Sequence, residues 1–264
     1  MSSAAVPMPL SALLDAVAII VRQAESIVMV VYGSEFAVRG KDDQSPVTEA
    51  DEQAERLITE ALRSLTPEIP VVGEEAVAGG AQPDIGGERF WLVDPLDGTK
   101  EFVSRNGEFT VNVALIEHGE PVLGVVGAPA QGRLWGGAQG AGAWVEDVDG
   151  QRRPIACRSV PPEGLTVVSS RSHGDAAALE AYLAGQRIAS TAFAGSSLKL
   201  CLVAAGLADV YPRLGPTMEW DIAAGHAVLA AAGGSVIALD GTPLRYGKPG
   251  LRNPHFVARG LLPA

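Results

Sequence analysis

Cysteine and basic residues are both scarce in this chain. Its two cysteines, Cys157 and Cys201, are too few for a disulfide framework and lie in apolar flanks. Neither has a CxxC partner, so buried structural thiols and a reducing, cytoplasmic setting are expected. Lysine and arginine total 20 against 31 aspartates and glutamates, a formal net charge of −11. This acidity argues against a nucleic-acid polymer as partner, whereas a small phosphorylated molecule could bind where cations reverse the field locally.

The chain also lacks an uninterrupted apolar run long enough to cross a membrane. The N-terminal segment beginning at Leu10 is broken by Asp15, Arg22 and Glu25, and no basic residue precedes Arg22, as a signal peptide would need. Its apolar residues follow the i, i+3, i+4, i+7 spacing of an amphipathic helix. We therefore predict a packed helix and no transmembrane segment.

What the chain does have is enough apolar material for a substantial core. Hydrophobic residues make up 47% of the 264 residues, which allows one large domain or two closely packed subdomains. Helix-like and strand-like segments mix without strict βαβ alternation. This pattern predicts a layered α/β or α+β fold and not a doubly wound sheet.

The segment WLVDPLDGTKEF, from Trp91 to Phe102, places two aspartates on a turn after an apolar strand. Pro95 is predicted to end that strand because it removes a backbone donor, and Asp94 and Asp97 can then face one cavity. Two carboxylates this close repel each other. A fold tolerates the pair where it is exposed, shares a proton or surrounds a metal ion.

Further carboxylates nearby favour the last of these three situations, in which the aspartates surround a metal ion. Glu74 and Glu75 follow a short strand predicted to end at Gly73, and Asp51 opens an amphipathic helix predicted to run to about Leu65. Oxygen ligands suit Mg²⁺, and the lack of histidine or cysteine near the cluster argues against zinc. The alternative is an ordinary polar turn, since aspartate, proline and glycine all favour turns.

The turn continues through Gly98 and Thr99 into a segment that can open a short helix. Free backbone N–H groups at a helix start bind phosphate, and glycine allows close approach. Carboxylates for Mg²⁺ beside such a start predict a phosphate-ester site. The same tripeptide recurs from Asp240 to Thr242, but there it has no acidic companion upstream and is predicted to be a hairpin turn.

Three motifs, GEE, WLVDPLDGTKEF and WDIAAGHAVLAAAGG, resemble in order and spacing the Mg²⁺-dependent, lithium-sensitive inositol monophosphatase superfamily. Within it, QSPVTEAD, GSSLKLCLVA and ADVYPRLGPT most resemble the bacterial bisphosphate nucleotidases. The resemblance covers most of the chain and implies a single catalytic domain over residues 1–264, a layered α-β-α-β-α sandwich. Its N-terminal half would run to about residue 155 and its C-terminal half from about residue 156, with the site between them.

The resemblance also implies a set of metal ligands. Glu74, Asp94 and the backbone carbonyl of Leu96 would bind one Mg²⁺. Asp94, Asp97 and Asp221 would bind a second, and Glu74 would contribute to a weaker third site. Spacing alone shows only that Asp221 is an acid before a helix, where an N-cap is the simpler interpretation.

Catalytic and substrate-binding residues are implied in the same way. Thr99, held by Asp51, would orient and deprotonate the attacking water, with Glu74 as a further catalytic carboxylate. The backbone amides of Gly98 and Thr99 would hold the phosphate. The substrate-contacting set implied by the resemblance comprises Glu74, Leu96, Asp97, Gly98, Thr99, His173, Ser196, Lys199, Arg213 and Asp221.

The resemblance implies a phosphatase that converts adenosine 3′,5′-bisphosphate to AMP and phosphate, with 3′-phosphoadenylyl sulfate as a second substrate, in sulfur assimilation. Related bacterial nucleotidases are in some cases described as peripheral to the inner membrane. One alternative is hydrolysis of inositol phosphate or fructose 1,6-bisphosphate by the same fold. Another is a silent metal or phosphate sensor, which the presence of every implied metal ligand disfavours.

Overall fold

A computed structural model of the chain describes residues 8–34, 38–40, 46–82, 85–170 and 176–261. The helices in these ranges are α1 (Leu10–Tyr32), α2 (Glu49–Leu65), α3 (Glu74–Ala78), α4 (Thr99–Val103), α5 (Ala176–Leu183), α6 (Leu198–Ala204) and α7 (Trp220–Ala231). The strands are β1 (Val38–Gly40), β2 (Pro46–Thr48), β3 (Val71–Gly73), β4 (Arg89–Asp97), β5 (Thr110–Glu117), β6 (Glu120–Ala128), β7 (Arg133–Ala138), β8 (Gly142–Glu146), β9 (Arg152–Ile155), β10 (Leu165–Ser169), β11 (Ile188–Phe193), β12 (Val210–Arg213), β13 (Thr217–Met218), β14 (Ser235–Ala238), β15 (Arg252–Asn253) and β16 (Phe256–Arg259).

Two sheets carry most of the strands. The larger sheet has the order β3-β4-β5-β6-β7-β8-β9, antiparallel except for the parallel pair β3 and β4. The smaller has the order β11-β10-β12-β16-β14, with β10 parallel to both of its neighbours. Short antiparallel pairs join β1 to β2 and β13 to β15. The sheets are thus mixed, and neither is doubly wound.

Helices and sheets alternate in five layers. Helices α1 and α2 cover the outer face of the larger sheet, in a core that includes Ile58 and Trp91. Helices α6 and α7 fill the space between the sheets, where Leu92 and Val228 belong to one buried cluster. Helix α5 packs on the far face of the smaller sheet, against Val167 and its neighbours. The predicted α-β-α-β-α sandwich is confirmed.

The amphipathic pattern at the N-terminus forms the helix predicted for it. Leu13, Leu14, Val17 and Val21 are buried on one face of α1, and each such side chain contributes roughly 1.5–3 kcal/mol relative to leaving it exposed. No helix among the described residues is both long and apolar enough to span a lipid bilayer.

The cysteines behave as buried structural thiols. Cys157 and Cys201 are both free and buried. Burial raises the pKa of Cys157 to about 11, and it also raises the pKa of Cys201. A thiol with so high a pKa carries little thiolate and is a poor nucleophile at neutral pH.

The prediction that Pro95 ends its strand is wrong. Strand β4 continues to Asp97, and its pairing with β5 shifts between Asp94, opposite Asn112, and Asp97, opposite Thr110. Between these two pairs β4 advances by three residues and β5 by two, so β4 contains a β-bulge. A bulged residue is left out of the hydrogen-bond ladder, so proline is tolerated there.

Two other local predictions can be compared with the structure. Strand β3 ends at Gly73 as predicted, and Glu74 begins the short helix α3. The buried Glu55 carboxylate accepts hydrogen bonds from the N–H groups of Glu75 and Ala76 at the start of this helix. The predicted final hairpin is present but short, with an antiparallel bridge between Ile237 and Pro243 and a hydrogen bond from the Ala238 N–H to the Thr242 carbonyl. Strand β14 also pairs with β16, from later in the chain.

Glu25 on α1 is a buried carboxylate that should make stability depend on pH. It is 5% exposed, pairs with Arg22 at 3.0 Å, and burial raises its pKa to about 7. Because the folded state then binds the proton more tightly than the unfolded chain, the fold loses stability as the pH rises above the ordinary value of 4.5, and the loss is complete above about pH 7. As the pH rises from 5 to 8.5, the free energy of unfolding of Glu25→Gln should therefore increase relative to that of wild type by on the order of 3 kcal/mol.

Chemical unfolding of both proteins across this pH range measures the difference. The exposed Glu60 on α2 provides the matched control, and its glutamine variant should follow the wild-type curve. Arg22 keeps a partner in Glu25→Gln because it also pairs with Glu146 at 2.7 Å. A difference between Glu25→Gln and wild type that does not change with pH would contradict the prediction.

Candidate active site

A cavity of about 260 Å³ lies between the two halves of the chain, at the end of β4 and the starts of α4, α6 and α7. The predicted site residues that line it are Glu74, Asp94, Leu96, Asp97, Gly98, Thr99, Ser196, Lys199, Arg213 and Asp221. Asp51 does not line it and is buried in the first turn of α2. The predicted residue His173 lies outside the described residues. The structure thus brings together ten of the predicted side chains and backbone groups.

The bulge in β4 explains how both aspartates reach the cavity. Asp94 is 1% exposed, and its Oδ1 accepts a hydrogen bond of 3.1 Å from the Leu96 N–H, which curls the backbone around the carboxylate. In a regular strand, residues three apart point to opposite faces. The extra residue at Pro95 compensates for this, so that Asp97 also points inward.

Asp221 reaches the same cavity from the opposite half. It lies in the first turn of α7, one residue after Trp220, and is not the N-cap, which is Glu219. The Asp221 carboxylate accepts a hydrogen bond of 2.9 Å from the Met218 N–H. This bond fixes the side chain at the positive end of the helix, where a carboxylate is favoured.

Negative charge is crowded among the carboxylates that line the cavity. Burial, then the charges of Glu74, Asp97 and Asp221, raise the pKa of Asp94 well above its usual range. Burial likewise raises the pKa of Asp221, and it raises that of Asp97 to about 6 despite the opposing charge of Lys199. Buried carboxylates that destabilise one another in this way are relieved by a cation.

These carboxylates fit a hard divalent cation by their chemistry. They supply oxygen ligands only, and the backbone carbonyl of Leu96 lies among them. Within the described part of the chain, however, no three histidine, cysteine, aspartate or glutamate side chains are already arranged to hold a metal ion. Binding a cation would therefore require the carboxylates to turn toward it.

The turn after the aspartates has the backbone that the sequence predicted. Gly98 has φ of +93° and is the N-cap of α4, which begins at Thr99. A Cβ at Gly98 would lie 2.3 Å from the Ser196 Oγ, so a side chain is excluded there by space as well as by conformation. The Thr99 hydroxyl donates a long hydrogen bond of 3.4 Å to the Leu96 carbonyl.

Positive charge also lines the cavity. Lys199 is 4% exposed, and its Nζ donates to the carbonyls of Ala194 and Ser196 at 3.2 and 2.7 Å. Burial lowers the pKa of Lys199 to about 8, against the charge of Asp97. Arg213 donates one bond to the Pro216 carbonyl, and its buried Nε has no partner among the described residues. An unpaired buried donor of this kind suits an anionic ligand.

Sequence reasoning missed several residues of the cavity and its wall. The further lining residues are Lys100, Glu101, Ser170, Ser197, Leu200, Tyr211, Thr217 and Ile222. Behind the aspartates, Thr110 and Asn112 are fully buried. Two polar residues at alternate positions of an otherwise apolar strand were a usable signal, since period two places both on one face.

The second copy of the tripeptide is the turn that the sequence predicted. Gly241 has φ of +86°, and its N–H donates to the Ala238 carbonyl. The Asp240 carboxylate accepts hydrogen bonds from the N–H and hydroxyl of Thr242, at 2.9 and 2.6 Å. Its hydrogen bonds are those of a local Asx turn.

Comparison with known proteins gives consistent matches along almost the whole chain. The model of the inositol monophosphatase family matches residues 10–261. The 3′(2′),5′-bisphosphate nucleotidase CysQ of Escherichia coli O157:H7 is 49% identical over 247 residues, covering 92% of this chain and 98% of that protein. The crystal structure of CysQ from Bacteroides thetaiotaomicron superposes with a TM-score of 0.78 at 35% identity, covering 94% of this chain and 97% of that one. The inositol monophosphatase of Anabaena superposes with a TM-score of 0.74 at 27% identity, covering 95% and 91%.

Proposed function

The chain belongs to the inositol monophosphatase family, and from this membership we propose that it is a 3′(2′),5′-bisphosphate nucleotidase. It hydrolyses the 3′-phosphate of adenosine 3′,5′-bisphosphate to give AMP and phosphate, and acts also on 3′-phosphoadenylyl sulfate. The observation that carries this proposal is that one cavity is lined both by the carboxylates of the proposed metal ligands and by the cations Lys199 and Arg213. A substrate with two phosphates can place one at the metal ligands and the other near the cations.

The residues fit two Mg²⁺ ions, with a weaker third. Glu74, Asp94 and the Leu96 carbonyl would hold one ion, Asp94, Asp97 and Asp221 would hold another, and Glu74 would also contribute to the third. When bound, Mg²⁺ neutralises phosphate charge and stabilises the leaving oxygen. Burial and the repulsion between neighbouring carboxylates raise the pKa values of Asp94 and Asp221, and this supports the proposal because a bound cation offsets both effects.

The remaining roles belong to the turn at Gly98 and Thr99 and to the cations that line the cavity. The backbone N–H groups of Gly98 and Thr99 hold the phosphate undergoing hydrolysis, since the first N–H groups of α4 have no partner within the helix. The Thr99 hydroxyl orients the attacking water, and Asp51 accepts the proton. Lys199 and Arg213 hold the second phosphate, and the Ser196 hydroxyl keeps the phosphate-binding turn in place through its 2.9 Å bond to the Asp97 carbonyl.

Phosphate release from three substrates tests the proposal. With Mg²⁺, kcat/KM should be at least about tenfold higher for adenosine 3′,5′-bisphosphate than for inositol 1-phosphate or fructose 1,6-bisphosphate, because one favourable charge contact at a desolvated site contributes about 1.4 kcal/mol or more. Lithium should inhibit all measurable release. A preference for inositol 1-phosphate would instead support the inositol monophosphatase alternative.

A matched pair of variants shows whether the cations of the cavity provide this preference. Arg213→Met should lower kcat/KM for the nucleotide bisphosphate more than for inositol 1-phosphate. Arg153→Met removes a guanidinium with 63% side-chain exposure at the far edge of the larger sheet. This control variant should change kcat/KM for neither substrate. Equal losses on both substrates in Arg213→Met would exclude Arg213 as the contact to the second phosphate.

A further inference from the structure

Behind the aspartates, the inner face of β5 carries a small buried polar cluster, which we call the Thr110–Asn112–Ser197 cluster. Along β5, Val111 and Val113 belong to the core beneath α1 and α2. Thr110 and Asn112 alternate with them and therefore face the other way, toward the layer of α6 and α7. Ser197 comes from the opposite half of the chain, at the N-cap of α6.

The cluster is connected by short hydrogen bonds and reaches Asp97. The Ser197 hydroxyl donates to Asn112 Oδ1 at 2.6 Å and lies 3.0 Å from the Thr110 hydroxyl. A hydroxyl group has one proton, and the Ser197 hydroxyl donates its proton to Asn112. The Thr110 hydroxyl therefore shares its proton between Ser197 Oγ and Asp97 Oδ2, which is 3.4 Å away. The backbone N–H of Ser197 also donates to the Asp97 carboxylate.

One donor of the cluster has no partner. Asn112 is 1% exposed, and its amide Nδ2 makes no hydrogen bond among the described residues. Leaving a buried donor unsatisfied costs about 1–3 kcal/mol. The residue directly opposite Asn112 on β4 is Asp94, and opposed residues of an antiparallel pair share a face with Cβ atoms roughly 5 Å apart. The Asp94 carboxylate is therefore within reach of this amide.

We propose that Thr110, Asn112 and Ser197 are positioning residues for the two central carboxylates, an inference that rests on the metal-dependent function proposed above. Thr110 and the Ser197 N–H hold Asp97, and Asn112 donates its amide N–H to Asp94 when that carboxylate turns toward a cation. Among the described residues the carboxylates are not already arranged to hold a metal ion. The cluster thus explains how they are oriented to form a binding site. Partners of this kind orient metal ligands, and their loss weakens metal binding by about 10- to 100-fold.

Binding of Mg²⁺ to protein without substrate tests the inference. Thr110→Val keeps the shape of the side chain and removes the hydroxyl, Thr110→Ser keeps the hydroxyl and is the matched control, and Asn112→Leu removes the amide. The Kd for Mg²⁺ is read from the rise of the unfolding temperature with Mg²⁺ concentration. It should increase about tenfold or more in Thr110→Val and Asn112→Leu and stay at the wild-type value in Thr110→Ser.

Kinetics supply a second measurement. In Thr110→Val the Mg²⁺ concentration for half-maximal phosphate release should rise by the same factor, while kcat at saturating Mg²⁺ stays within a few-fold of wild type. A Thr110→Val protein that melts earlier without Mg²⁺ but keeps the wild-type Kd would overturn the inference and leave a structural role. If Mg²⁺ changes neither the unfolding temperature nor the activity of wild-type protein, both the proposed function and this inference are wrong. If wild type binds Mg²⁺ and all variants keep its Kd, only the inference is wrong.

Discussion

Asp97→Asn should lose nearly all phosphatase activity, at least about a thousandfold in kcat/KM, while the protein remains folded. The carboxylate is a proposed ligand of one Mg²⁺, and an amide cannot neutralise the cation in its place. Charge stabilisation by metal ions is worth several kcal/mol in such reactions, which corresponds to this factor. The measurement is phosphate release from adenosine 3′,5′-bisphosphate with Mg²⁺ at saturating concentration.

The fold should tolerate this change because the charge of Asp97 does not stabilise it. Burial raises the pKa of Asp97 to about 6, so the cost of the charged carboxylate is present above that pH and disappears below the unfolded value. Without Mg²⁺ at pH 8, Asp97→Asn should therefore unfold at the wild-type temperature or above it. A lower unfolding temperature would mean that the lost activity reports a damaged fold.

The second Asp-Gly-Thr copy supplies a control within the same chain. Asp240 sits in the same tripeptide, but its carboxylate accepts its hydrogen bonds from Thr242 within an exposed turn. Asp240→Asn should keep wild-type activity and wild-type affinity for Mg²⁺. Wild-type turnover by Asp97→Asn would refute the assignment of Asp97 as a metal ligand.

The sequence predicted the cavity carboxylates of the N-terminal half because their signals are local. Asp94, Asp97 and Gly98 follow one apolar strand within five residues, and a strand end with glycine and proline predicts a turn that can present side chains together. Glu74 follows the neighbouring parallel strand, and parallel neighbours end at the same edge of a sheet. The pattern did not reveal the bulge at Pro95, since proline at a strand end and proline in a bulge have the same sequence.

The cavity residues from the C-terminal half depend on tertiary structure and could not be derived from spacing. Asp221 and Lys199 lie more than 100 residues from the aspartates, and only the packing of α6 and α7 between the sheets brings them near. The motif resemblance identified both residues. It did not identify Asn112, whose partner Ser197 is 85 residues away. A polar residue in a buried strand indicates that a partner exists but not where it is.

A strained turn makes one of the contacts between the halves beside the cavity. Ser196 has φ of +49°, unusual for a residue other than glycine, and its hydroxyl is 2.9 Å from the carbonyls of both Asp97 and Glu108. The turn leads directly into α6, which carries Lys199. Strain of this kind persists only where surrounding contacts impose it, and it concentrates at functional sites. The geometry therefore ties the proposed phosphate-binding residues of one half to the proposed metal ligands of the other.

Thr99→Val should lower kcat by about 10²- to 10³-fold with little change in KM or in the affinity for Mg²⁺. The variant keeps the backbone N–H that we assign to phosphate binding and removes only the hydroxyl that orients and activates water. Proton transfer by a positioned side chain contributes about 10²- to 10⁴-fold. Steady-state kinetics at saturating Mg²⁺ separates this loss from that of Asp97→Asn, in which binding of the metal fails as well.

Two controls distinguish the hydroxyl of Thr99 from its other contributions. Thr99→Ser keeps the hydroxyl and should remain within about tenfold of wild-type kcat, since the residual loss reflects only the freer rotation of serine. Thr242→Val makes the same change in the exposed tripeptide, where the hydroxyl donates to Asp240, and should leave kcat unchanged. If Thr99→Val instead raises KM with kcat unaltered, the hydroxyl binds substrate equally in the ground and transition states. Water activation would then have to be assigned to another residue lining the cavity, with Glu74 as the first candidate.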